Sequence, residues 1–223
     1  MRQTWKDLLF AHWPMPIPAI RPLVPPELEL HTFDRQCWVA VTPFHMSGIH
    51  MRGLPRLPGL SRFPELNVRT YVSYRDKAGV YFFSLDAGNR KAVSVARFFY
   101  HLPYFWAEMR VAARGEEISY SSRRYKRPAE FRARYKAASE VQWQLKGTLA
   151  HWLTERYCLY VVSHGNVYRA EIHHAPWPLQ NAEGEIGVNT MADAAGINLP
   201  RITPLLHFAR CLEVLIWPLL RVS

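Results

Sequence analysis

Two pairs of residues carry the chemistry that this sequence can offer. Glu65 and Arg69 stand four apart in the stretch ELNVRTYVSY. On a strand they share one face, about 13 Å apart, too far to pair directly. A buried charge needs a partner. Asp86 and Arg97 are the candidate partners, one near the end of the next predicted strand, one in a predicted helix. Such a set either forms a structural ion-pair network or anchors the polar end of a ligand. Tyr104 and Glu108 form the second pair, again four apart, in YFWAEM. If both point inward, a phenol and a carboxylate line one wall, and such a pair can move a proton. The bland alternative is a core tyrosine whose hydroxyl finds some partner.

Other chemistries find no support. The histidines form no HxxxH or HExxH, so no metal site is expected. Glycines are scattered and make no phosphate-binding loop. GxSxG is absent, which argues against an α/β-hydrolase. The three cysteines, Cys37, Cys158 and Cys211, are far apart and include no CxxC. A disulfide framework is therefore not expected, and a cytoplasmic location fits. Cys37 reads as a small buried hydrophobe. No cofactor is expected.

Bulk properties set the frame. The 223 residues suit one domain over 1–223, and 49% hydrophobic content against 21% charged allows a real core. No apolar run reaches the roughly 18 residues of a membrane-spanning helix. The net charge of +10 raises the question of nucleic acid. Its densest segment, 110–136, holds nine Arg or Lys and three Glu. In it Arg132, Arg134 and Lys136 alternate with Phe131, Ala133 and Tyr135. That pattern is the solvated face of a strand, and no nucleic-acid-binding signature accompanies it. Specific nucleic-acid binding is not expected. Assembly of identical copies is left open.

The elements follow from periodicity. Residues 4–11 read as a short helix capped by Thr4. CWVAVTPF, LNVRTYVSY and VYFFSLDA read as strands, the last two joined at Asp76–Gly79 in a hairpin. NRKAVSVARFFYH reads as a helix capped by Asn89, ended by Leu102-Pro103. FWAEMRVAA, SYSSRRY and EFRARYKAA read as successive antiparallel strands. QLKGTLAHWLTERY reads as a helix, YCLYVVS and VYRAEIHH as a hairpin, and the closing PLLHFARCLEVLIWPL as a long strand. Many strands and few helices give an α+β, mainly antiparallel architecture or a closed barrel.

Three stretches point to a family. AIRPLVPPELEL (19–30), ELNVRTYVSYRDKAGVYFFSLDAGN (65–89) and ARFFYHLPYFWAEM (96–109) resemble segments of the acetoacetate decarboxylases. Over most of its length the chain resembles the uncharacterised YqjF-like branch of that superfamily, marked by FPELNVRTYV, GVYFFSLDA and LPY. The resemblance implies a curved sheet closed into a cone-like barrel around a cavity, with a few flanking helices. It also implies what is lost. The decarboxylases use a lysine of depressed pKa beside a second cation to form an imine. Tyr104 and Phe105 stand where that pair would be. Glu65 matches a family carboxylate, CWVAV has no acid where another would fall, and Lys6 lies near the place of a family arginine. The expectation is a protein that holds a small, mostly apolar carbonyl or carboxylate compound, not a Schiff-base decarboxylase. The alternatives are a non-covalent acid/base enzyme using a tyrosine–carboxylate pair, and a basic-surface binding module.

Overall fold

The computed structural model describes residues 1–50, 62–94, 101–125 and 128–223. Strand dominates it. In chain order the strands are β1 (Arg2–Met15), β2 (Glu29–Leu30), β3 (Cys37–His50), β4 (Arg62–Tyr74), β5 (Lys77–Ala87), β6 (Tyr104–Arg114) and β7 (Glu117–Arg124). Then come β8 (Glu130–Ala137), β9 (Cys158–Ser163), β10 (Asn166–His174), β11 (Gln180–Asn189), β12 (Leu205–Ile216) and β13 (Leu220–Arg221). Short helices cover Ile17–Ile20 and Leu149–Thr154.

Among the described residues all thirteen strands join one sheet, antiparallel except where β5 meets β6 and β9. The sheet closes on itself twice. One ring runs β12-β1-β3-β4-β5-β9-β10 and returns to β12 through the Ile172–Ile216 pairing. A second runs β5-β6-β7-β8-β11-β12 and returns through β1, β3 and β4. The strands β12, β1, β3, β4 and β5 are therefore a wall common to both rings.

A wall buried on both faces explains the sequence of its strands. In β4, Leu66, Val68 and Val72 point into one core with Tyr120, Phe131 and Tyr135 of β7 and β8. Phe63 and Tyr71 point the other way, into a second core with Phe44, Phe82 and Leu159. Period-two alternation separates the two sets. Closure also removes most of the sheet edge that would otherwise invite aggregation.

Residues 4–11 are not a helix but part of β1, paired with β12 on one side and β3 on the other. The cause of the misreading is a bulge. Lys6 pairs with His45 and Ala11 with Val41, so five steps along β1 match four along β3. Asp7 takes up the extra residue at φ 50°. The inserted residue shifts the alternation, so Trp5, Leu8 and Leu9 acquire helical spacing by accident. The β4–β5 turn is tighter than expected. Arg75 and Asp76 both have positive φ, and Tyr74 pairs directly with Lys77. His164-Gly165 does the same between β9 and β10. The predicted helix over QLKGTLAHWLTERY shrinks to Leu149–Thr154, with the Thr148 hydroxyl accepting from the His151 amide. Asn89 caps a helix as expected, its side-chain oxygen accepting from the amides of Lys91 and Ala92, while residues 95–100 of the predicted helix lie outside the described residues.

Candidate functional site: an apolar barrel cavity with two buried arginines

The ring β12-β1-β3-β4-β5-β9-β10 encloses a cavity of about 220 Å³. Each of its strands contributes to the lining: Trp5 and Leu8, Phe44 and Met46, Val80 and Phe82, Leu159, Ile172, and Ile216. Trp177 closes one side, stacked on Trp5 with its edge against Phe10. Most of this surface is apolar, as in pockets where a few polar groups set orientation.

Three of the polar groups come from β4. Glu65, Asn67 and Arg69 alternate along it, so all three reach the cavity. Glu65 is only 3% exposed. Its Oε2 accepts a 2.9 Å hydrogen bond from the Tyr104 hydroxyl at the start of β6. Burial, with nearby Asp86 adding to it, pushes the Glu65 carboxyl up to about 8 against the pull of the Tyr104 bond. At neutral pH it therefore carries its proton. Tyr120 fixes this spot from the other core, donating 2.8 Å to the backbone carbonyl of Glu65.

Arg69 lies at the far end of the stripe, 7% exposed, with its guanidinium over the rings of Phe10 and Tyr71. Arg156, from the turn before β9, is also 7% exposed and lies over Tyr71 and Trp152. One of its nitrogens donates 3.0 Å to His31 Nδ1. Burial, reinforced by Arg69, lowers Arg156 to about 10, which leaves it cationic at neutral pH. Among the described residues neither arginine has a carboxylate partner. Nε and Nη2 of both are buried without a hydrogen-bond acceptor. Thr42 Oγ1 and Asn67 Oδ1 also lack partners on this lining. Tyr71, between the arginines, donates or accepts 2.7 Å at His12 Nε2, a ring that burial holds neutral.

The predicted site residues thus divide. Tyr104, Glu65 and Arg69 all reach the cavity. Asp86 does not: it faces the other way and makes a buried bidentate pair with Arg124 of β7, at 2.7 and 2.8 Å. Arg124 also stacks on the Phe105 ring, 3.8 Å from its centre. Glu108 is corrected to an exposed position, paired with Arg110. The reason is topological: β6 follows the cavity ring only through Tyr104–Trp106, then turns to pair with β7. Lys6 is corrected as well. It is exposed beside the Asp7 bulge, while its neighbour Trp5 takes the cavity face. Arg97 lies outside the described residues. Sequence reasoning missed Arg156, Asn67 and His174. Arg156 gave no signal, because its partner His31 is 125 residues away.

Elsewhere the basic strand β8 meets an acidic neighbour. Arg134 pairs with Glu185 and Lys136 with Glu183, both from β11, and Arg132 pairs with Glu130. The positive face of 110–136 is thus partly neutralised. Arg124, counted with it from the sequence, is buried. Among the described residues no group of three or more metal-ligating side chains occurs, and no helix is long and apolar enough to cross a membrane.

One sheet closed on itself around an apolar cavity places the chain among the acetoacetate decarboxylase-like folds. Its backbone superposes on acetoacetate decarboxylase of Legionella pneumophila at a TM-score of 0.66, with 12% identity, over 100% of this chain and 87% of that one. The enduracididine biosynthesis enzyme MppR, solved in complex with pyruvate, gives 0.70 at 9% identity over 100% and 90%. An acetoacetate decarboxylase-like enzyme from Sphingomonas wittichii RW1 gives 0.66 at 10% over 100% and 92%. The chain belongs to the DUF2071 family, described as an uncharacterized conserved protein, which it matches over residues 2–213. It is 51% identical to the uncharacterized protein YqjF of Bacillus subtilis strain 168, over 100% of this chain and 93% of that protein.

Proposed function

We propose that the protein binds a small, mostly apolar carboxylate or carbonyl compound inside the cavity, with Arg69 and Arg156 receiving its polar end. The observation that carries this reading is the presence of two buried guanidinium groups, without acid partners, in an apolar lining. Burying a cation without compensation is costly, so the arrangement is best completed by an anionic ligand. The Nε–Nη2 edge of a guanidinium matches a carboxylate bidentately. MppR, of the same fold, was solved with an α-keto acid, but at 9% identity that supports the class of ligand only by analogy.

Imine chemistry is not part of the reading. Among the described residues no lysine lines the cavity. Tyr104 cannot form an imine, and Phe105 is engaged by Arg124. Borohydride added with acetoacetate or pyruvate should leave the intact mass unchanged. A reduced adduct mapped to a cavity lysine would overturn this part.

Calorimetric titration with hexanoate tests binding. The wild type should bind, and Arg69→Met should weaken the affinity by about tenfold or more, as expected for a lost charge-assisted contact. An unchanged affinity would remove Arg69 from the site.

A second reading is favoured by Glu65, whose carboxyl sits near 8 within reach of Tyr104. A group poised near working pH suits proton transfer beside a carbonyl. Deuterium exchange at the α-carbon of an added keto acid, followed by NMR, should then change steeply near pH 8 and disappear in Glu65→Gln. Exchange at the solution rate in the wild type would dismiss the catalytic reading while leaving binding intact.

A further inference from the structure

We infer that the arginine end of the cavity is built for a doubly charged oxoanion head: two carboxylates on one carbon, or one phosphate. The inference rests on the reading of the cavity as an anion site and specifies its ligand. Arg69 and Arg156 flank one ring, Tyr71, with guanidinium carbons 5.9 and 5.0 Å from its centre. Each keeps the same edge, Nε with Nη2, free of hydrogen-bond partners. That edge is the fork that receives two oxygens of a carboxylate or phosphate. The two forks, both on the cavity lining beside one ring, therefore carry four donors without acceptors. A single carboxylate fills one fork and leaves the other buried and unsatisfied.

Charge balance points the same way. Glu65 is the only carboxyl among the described lining residues, and its oxygen is held by Tyr104 rather than by either arginine. His174, the nearby lining histidine, has its ring nitrogens against the carbonyls of Ala175 and Arg156. His31, which meets Arg156, supplies an acceptor but no negative charge. The two cations are thus compensated by no group facing them among the described residues. A head with two negative charges compensates both, and the ligand's apolar remainder lies against residues such as Phe82, Leu159 and Ile172.

Calorimetry at pH 7.5 with three probes of matched alkyl size tests this: hexanoate, butylmalonate and butyl phosphate. At least one dianion should bind the wild type about tenfold or more tightly than hexanoate, the worth of one additional charge-assisted fork. Preference for butylmalonate assigns one carboxylate to each fork, and preference for butyl phosphate assigns both forks to one phosphorus centre. Arg69→Lys and Arg156→Lys each keep a charge but lose the fork. Each should reduce that preference to about threefold or less. Hexanoate binding as tightly as both dianions in the wild type overturns the two-fork inference and leaves the monoanion reading standing. Failure of all three probes to bind overturns both. The wild-type comparison is decisive even if a variant does not fold.

Discussion

Glu65 is a carboxyl that gains its proton on folding, and the sign of its effect on stability follows. Its folded value is near 8 against an ordinary 4.5, so between these limits the native state holds a proton that the unfolded chain has lost. Stability contributed by this group falls as pH rises through that window, by up to about 1.4 kcal/mol per pH unit. His31 and His207 are held near 4 by burial, and His12 and His174 are lowered too. For them the unfolded chain binds the extra proton, so stability rises with pH up to about 6.5. Between about 6.5 and 8 these histidines have ceased to contribute, while Glu65 still does. Urea denaturation across that range should show stability declining with pH, and Glu65→Gln should flatten the slope. A wild-type slope of zero there would mean that Glu65 is ionised. Arg69 makes the complementary case. Replacing a buried, unpaired cation by an apolar side chain of similar length removes its desolvation cost. Arg69→Met should raise the stability of the ligand-free protein by about 1 kcal/mol or more while weakening carboxylate binding. Lower stability would indicate a structural role.

Among the elements, β5 is held by three neighbours. It is flanked by β4 along its length and by β6 and β9 at its two ends. Gly79 permits the β9 contact. A Cβ there would meet Cys158 Sγ at 2.7 Å, the Cys158 carbonyl at 2.8 Å and Tyr160 at 2.8 Å. Gly79→Ala should destabilise by about 1–3 kcal/mol through overpacking, measured as a lower denaturation midpoint. An unchanged midpoint would show that β9 can move away freely. The Asp86–Arg124 pair holds β5 to β7, with neither side chain appreciably exposed. Arg124→Met should cost about 3–5 kcal/mol, because Asp86 then keeps a buried charge alone. Most of these elements were legible in the sequence, since the alternation of β7 and β8 and the β-branched and aromatic residues of β3 and β4 carry over into the strands. β1 was not, because one bulged residue at Asp7 disguises a strand as a helix. The site was half legible for a related reason. Glu65 and Arg69 lie on one strand, so spacing alone puts them on one face. Arg156 meets them only through barrel closure. Glu108 obeyed the same alternation as Tyr104, but its strand had already left the cavity ring.

For the molecule as a whole, the shared wall of β12, β1, β3, β4 and β5 has a consequence for cooperativity. Neither ring keeps its core if that wall is lost, since the wall is packed on both faces. Limited proteolysis should therefore give no pair of stable halves; two fragments that each remain folded would contradict this. The central claim is that the cavity holds an anion on Arg69 and Arg156. A crystal of the protein soaked with 6-bromohexanoate tests it most directly, because bromine can be located by anomalous scattering. The account predicts a bromine peak among Phe82, Leu159 and Ile172, with carboxylate oxygens within hydrogen-bond distance of Nε and Nη2 of Arg69 or Arg156. A bromine peak confined to the outer surface, or a carboxylate turned toward Tyr104 with both arginine edges unbonded, would contradict it.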